Sequence, residues 1–347
     1  MKYSLRPLAL LLVLVILGGC ASPLYYAQAV SGQMEILTKR RPVEEVLADP
    51  ATTPETRRQL ELVRRLRDFA SRELRLPDNR SYRSYADLER PFVVWDVFAV
   101  PELSLEPKQW CFIVAGCVPY RGYFARDKAE QFAASLKSKG YDVYVGGVPA
   151  YSTLGWFDDP LLNTFLHRSE AELAGLLFHE LAHQKIYVSG DSAFNESFAT
   201  VIELEGVKRW FRQSGDAKEA EAYRLKIRRR EEFTALVLKH RAPLKDIYAS
   251  NLSDAEKRAA KARVFEELRG EYAKLKTSWD GYAVFDNWFK QDLNNAHLVA
   301  IGLYNQYVAA FQKLLAQQGD DLMAFYRSVK ETANLPKDER DLALQKF

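Results

Sequence analysis

An α+β fold is predicted for this chain of 347 residues by three observations. Short aromatic and β-branched runs cluster between residues 92 and 148, which is strand patterning. Before and after them, apolar residues recur at helical spacing. The resulting order, a small mixed β-sheet followed by a long run of helices, segregates strands from helices as α+β folds do. Apolar residues make up 48% of the chain and charged residues 27%, a globular composition with length for a sizeable core. Four segments follow: a leader over 1–19, a helical segment over 20–91, a small α/β sheet unit over 92–165, and a helical half over 166–347.

The leader has Lys2 and Arg6 ahead of an unbroken apolar run, Leu8 to Leu17. That run is too short to span a bilayer comfortably and reads as the core of a secretory signal. Leu17-Gly18-Gly19-Cys20 resembles a bacterial lipobox, which implies cleavage before Cys20 and a lipid on its thiol. A plain signal peptide with an incidental cysteine is the alternative. Ala21 after Cys20, by the sorting rule for such lipoproteins, favours the outer membrane, facing the periplasm. Loss of Lys2 and Arg6 from 49 basic residues leaves 47 against 46 acidic, so nothing in the charge calls for a nucleic-acid partner. No later segment has eighteen consecutive apolar residues, and the expected membrane contact is therefore the lipid anchor.

After the leader, 22–40 has helical spacing through Leu24, Ala27, Val30, Met34 and Leu37. Pro42 opens a short helix that Asp49-Pro50 ends, and Pro54 opens a third that runs to about Leu76. Its arginines, Arg57, Arg58, Arg64, Arg65 and Arg67, alternate with acids and read as a solvated face. Residues 77–91 are a polar connection. Strands are expected at 92–100, 110–115, 120–124 and 141–148, with a helix at 126–139 that Gly140 stops. Cys111 and Cys117 flank a short turn. An oxidising periplasm would let them pair, and two free thiols are the alternative. The segment Gly146-Gly147-Val148 to Tyr151 reads either as an edge strand that could pair with an extended peptide or as a structural hairpin end. Helices are expected at 170–188, 193–213, 217–242, 253–277, 284–317 and 320–333.

The chemistry concentrates in His179-Glu180-Leu181-Ala182-His183. Residues four apart share a helix face, so the two imidazoles can grip one ion, Zn²⁺ by ligand type. Glu180 is the neighbour that would take a proton from an attacking water. A catalytic zinc normally has three protein ligands. Gly190 is the expected left-handed stop, Asp191 or Ser192 caps the next helix, and Glu196 in its first turns is the expected third ligand. Glu203 is held in reserve, either as ligand or as a group that orients a histidine. Asp191 and His167 are weaker candidates. Only five histidines exist, and two fall at the required spacing. Peptide hydrolysis also needs a donor for the developing oxyanion, for which Tyr304 and His297 are the candidates; helix packing is the ordinary reading of Tyr304.

The motif followed by Phe194-Asn195-Glu196-Ser197-Phe198-Ala199 resembles the gluzincin metallopeptidases, thermolysin and aminopeptidase N among them. More closely, the chain resembles a bacterial lipoprotein family of predicted aminopeptidases. Trp110-Cys111-Phe112, the stretch Ala115 to Phe124, Gly146 to Trp156, the metal motif and the glutamate segment carry that resemblance over nearly the whole mature chain. It implies a zincin-like helical half, Zn²⁺, a peptide substrate and aminopeptidase activity in the cell envelope. The chain departs from aminopeptidase N in three respects. Its spacing from His183 to Glu196 is shorter, and position 200 is Thr rather than aspartate. The acid that holds a free amino terminus has no counterpart in 146–156. An endopeptidase of the same mechanism is thus one rival, and a weakly active or non-catalytic quality-control lipoprotein another.

Overall fold

The computed structural model describes residues 23–112, 116–150, 153, 157–303 and 307–347. In chain order the elements begin with α1 (Pro23–Lys39), β1 (Arg41–Pro42), α2 (Val43–Ala48), α3 (Pro54–Arg72) and β2 (Ser84–Ala86). The strand region holds β3 (Val94–Pro101), β4 (Trp110–Phe112), β5 (Gly116–Val118), β6 (Tyr120–Tyr123), α4 (Arg126–Lys137) and β7 (Tyr141–Val148). The rest is almost wholly helical: after β8 (Leu161–Leu162) come α5 (Asn163–Leu166), α6 (Glu170–Lys185), α7 (Ser192–Ser214), α8 (Ala217–Ala249) and α9 (Asp254–Ser278). The chain ends with α10 (Asp286–Phe289), α11 (Asn295–Leu303), α12 (Val308–Gln317), α13 (Leu322–Ala333) and α14 (Lys337–Gln345). The fold is α+β, as expected.

The strands do not form one mixed sheet. The principal sheet is antiparallel, in the order β6-β3-β7. A separate hairpin pairs β4 with β5, and its register sets Cys111 opposite Cys117, which are joined by a disulfide. The mixed sheet is a minor one, β1-β2-β8, with both antiparallel and parallel pairs. Central β3 is buried on both faces. Trp95, Val97 and Ala99 meet Ala129, Ala133 and Leu136 of α4, whereas Phe98 and Val100 on the other face meet Ala296, Val299 and Ala300 of α11. Side-chain alternation along a strand therefore aims Val94 and Asp96 at that second face too, toward the long helices.

Several boundaries move for identifiable reasons. Helix α8 continues through Pro243, since Leu244 and Ile247 pack into the aromatic core it shares with α9; tertiary burial outweighs the missing amide. The single helix expected over 284–317 is broken. Asn295 donates to Glu102 O and Ser104 O and its amide to Asp142, while Asn294 bonds Val143 O, so a polar cluster starts α11 afresh against β7. The terminal α14 was not foreseen. Arg67 is no surface residue: it is buried, with its guanidinium donating to Ser81 O and Pro77 O, and it holds the 77–81 connection. Among the described residues no helix is long and apolar enough to cross a membrane.

Candidate metal centre

The helix that carries His179 and His183 is set by local chemistry at both ends. Ser169 and Glu172 form a capping box that starts α6. Apolar burial runs around the helix, through Ala171, Leu173, Leu177, Phe178, Leu181 and Ala182, so it lies in the core instead of on the surface. It ends at Lys185, and Gly190 turns the chain with φ 79°. Asp191 then caps α7 by accepting from Phe194 N, and its other oxygen meets buried Arg340 of α14 at 2.8 Å. Asn195 clamps the turn itself: its amide both donates to Val188 O and accepts from Val188 N, each at 2.8 Å. Gly206 lets α7 approach α6 closely, since a Cβ there would lie 2.5 Å from the Phe178 ring. This tight antiparallel pair is what returns Glu196 to the motif.

His179, His183 and Glu196 each present one ligand atom within 4.8 Å of the others. His179 Nε2 lies 3.3 Å from Glu196 Oε2, and His183 Nε2 lies 3.7 Å from Glu196 Oε1. Ligands about 2.0–2.2 Å from one tetrahedral ion sit roughly 3.3–3.6 Å apart, so these separations are close to those a zinc ion would impose. His183 Nδ1 is buried with no hydrogen-bond partner, and burial first, then the nearby His179 charge, against the pull of Glu196, depresses this imidazole to about 4. A neutral imidazole is what a metal needs. For His179, burial lowers the pKa, but hydrogen bonds to Glu196 and Glu203 outweigh it and raise it to about 10. The negative charge that does this would favour a bound cation equally. The donor set, two imidazoles and a carboxylate, fits Zn²⁺.

Glu203 is not a fourth member of the trio. Its Oε2 accepts from His179 Nδ1 at 3.2 Å, while Tyr223 Oη donates to Oε1 at 3.1 Å and Arg230 adds a longer contact at 3.4 Å. Burial would raise its pKa, but His179 and Arg230 hold it at about 2, so it remains a carboxylate. It thus supplies the histidine orientation that Thr200 cannot. Glu203→Gln is expected to weaken zinc binding about 10- to 100-fold, as loss of such a supporting carboxylate does; competition with a chelating dye measures it, and unchanged affinity removes this role.

A cleft of about 570 Å³ runs between this helix pair and the sheet. His179, Glu180, His183, Tyr187 and Glu196 line one side, and Val94, Asp96, Tyr120, Gly122 and Val148 the other. Tyr25 and Ala29 of α1 close one flank. Glu180 is pushed up to about 7, chiefly by burial, with Glu196, Asp159 and Glu203 adding to it against His179. The phenols of Tyr120 and Tyr187 are both raised, burial first, so each keeps its proton and can donate.

Other expected site residues fare differently. His297 does not line the cleft. It is buried at the start of α11, its ring 4.5 Å from that of Tyr144, and its Nδ1 accepts from Asn294 N. Burial depresses it to about 3. Its helix packs against the far end of the sheet, so it is removed from the expected donors. Tyr304, Tyr151 and Cys20 lie outside the described residues. Strand β7 is an edge of the principal sheet, and Val148 lines the cleft. Gly146 and Gly147 do not; they instead accommodate the rings of Tyr144 and Phe92.

Asp96 was overlooked. It is 7% exposed, forms no hydrogen bond or ion pair among the described residues, and lines the cleft. Its available signal was a lone charge in the apolar run Val93-Val94-Trp95-Asp96-Val97-Phe98.

Residues 24–344 match the family model described as "Putative aminopeptidase". The chain belongs to that family. No curated protein and no solved structure matches it. The match spans the sheet, the cleft and every helix from α6 to α13, so family membership covers the whole site and not the five-residue motif alone.

Proposed function

We propose that this family member is a zinc aminopeptidase of the bacterial envelope, lipid-anchored at Cys20 and facing the periplasm. One observation carries the catalytic part. The metal-ligand trio, a half-buried Glu180 and the unpaired Asp96 carboxylate all face a single cleft. His179, His183 and Glu196 would hold the ion, with Glu203 fixing His179. A bound zinc supplies Lewis-acid polarisation of a peptide carbonyl and of a water.

The remaining steps belong to the chain's own groups. Glu180 takes the proton of the attacking water and passes it to the leaving amine, a role suited to a carboxylate near neutrality. Tyr187, whose ring lies 6.5 Å from that of His183, donates its hydroxyl to the developing oxyanion, with Tyr120 on the opposite wall. Asp96 pairs with the free α-ammonium of the substrate. A buried carboxylate without a partner is costly, and a cationic amino terminus is the part of a peptide that would offset that cost. Val148 at the edge of β7 lies beside the substrate backbone.

The test is digestion of a mixed peptide pool with free and acetylated amino termini, read by mass spectrometry, with Glu180→Gln as control. Stepwise loss of first residues from free peptides alone is expected. Internal cuts in both pools would make the protein an endopeptidase, and no difference from the control would favour the non-catalytic lipoprotein.

A further inference from the structure

Among the described residues nine large apolar side chains are exposed, and three of them sit on α1: Leu24 at 83%, Val30 at 62% and Met34 at 50%. No two of the other six share an element. With exposed Ala27 the three are spaced three or four residues apart, so they form one outward stripe. The opposite face of the same helix is engaged. Tyr25 and Ala29 line the cleft, Gly32 lies against the Phe124 ring, and Ile36 is in the core. Gln28 bonds Gly122 O and Phe124 N at the edge of β6. The helix is thus held in place, and its apolar stripe is a fixed feature of the surface. No charged residue occurs from Pro23 to Met34; Glu35 and Lys39 are the only charges on α1.

We infer that α1 lies on a phospholipid bilayer through Leu24, Ala27, Val30 and Met34, so that one helix is both a membrane contact and a wall of the catalytic cleft. The chain outside the structure names the occupant. The apolar run Leu8 to Leu17 and Cys20 directly precede the helix. Cys20 is three residues from Pro23, a reach of at most about 11 Å, so either a lipid on Cys20 or a retained apolar leader brings the bilayer to Leu24. An exposed apolar patch beside such an anchor adds buried apolar area to its hold on the bilayer. The membrane contact rests on the anchored-leader part of the proposed function and not on its peptidase part.

The experiment uses full-length protein, made in a bacterial host and reconstituted into phosphatidylethanolamine–phosphatidylglycerol vesicles whose acyl chains are brominated. A bimane probe is placed at Val30→Cys, Met34→Cys or, as control on a remote exposed site, Lys139→Cys. Emission at positions 30 and 34 is expected to fall at least about twofold, as for groups at the acyl boundary, with position 139 unchanged. Equal emission at all three would overturn the inference. A chain beginning at Ser22 tests the stripe without the anchor. Combined Leu24→Gln, Val30→Gln and Met34→Gln should reduce its vesicle association at least about fivefold, and the absence of any fall would count equally against it. If aqueous iodide already fails to reach position 30 of that chain without lipid, the stripe is covered by a second copy and the inference is wrong.

Discussion

Glu180→Gln is expected to retain zinc, to keep the fold, and to lower turnover by about 10²- to 10⁴-fold, the range supplied by a positioned general base. The argument rests on shape as well as chemistry. Glu180 shares α6 with both histidines but lines the cleft without a hydrogen bond to Glu196, so an isosteric amide disturbs neither the trio nor the helix. Its side chain is desolvated and near pKa 7, which makes it a proton acceptor at neutral pH and a proton donor to an amine afterwards. Zinc content by atomic emission and turnover on a free-amino peptide are measured together. Retained turnover with retained metal would reassign the base. Loss of both would indicate that the substitution had damaged the site, and circular dichroism separates that case.

Asp96→Asn is expected to have two opposite effects. Loss of the charge-assisted bond to an α-ammonium should raise KM for free-amino peptides about 10- to 100-fold and leave acetylated peptides unaffected. The same substitution should stabilise the fold. Asp96 is raised from 3.8 to about 7, by burial first and then by the Glu196 charge. A raised carboxyl contributes stability that is fully present below its unfolded value near 3.8 and lost as pH rises through about 7. Asparagine carries no charge to desolvate, so its gain should reach about 1–2 kcal/mol at pH 8 and vanish toward pH 4. Thermal unfolding at the two pH values tests this. A carboxylate kept at such a cost and removed without any kinetic consequence would have no role in recognising the substrate, and the aminopeptidase reading would lose its amino-terminal anchor.

The strand 141–148, the helix pair that carries the motif and Asp191 as the cap were all legible in the sequence; Gly190 has the left-handed φ expected of it, but α6 already ends at Lys185 with an extended Ile186, so Gly190 turns the connection to α7 and does not stop the helix. Each depends on residues within a turn or two of one another, where φ and ψ, caps and periodicity act. The reserve reading of Glu203 as an orienting group also rested on helical spacing from Glu196. Errors arose where local pattern and tertiary burial disagree. Arg67 sits in a charged stretch yet is buried, since the carbonyls of the 77–81 connection satisfy its guanidinium. His297 begins a polar segment, which suggested chemistry, but its neighbours Asn294 and Asn295 use their polarity to fasten α11 to the sheet.

By itself, therefore, the sequence determined the fold class, most of the elements, and the grouping of His179, His183 and Glu196 that could hold a metal, because i and i+4 on a helix and a tight turn between two helices are short-range facts. Only the tertiary structure decided what faces that pattern. Asp96 lies 83 positions before His179, and Tyr120 lies 59 before it. Which face of β3 and β6 turns toward α6 follows from sheet register and from α4 claiming the opposite face. Shifting β3 by one residue would turn Asp96 into the α4 core and Trp95 into the cleft. That choice is made by burial across the whole domain, and no window of neighbouring residues contains it.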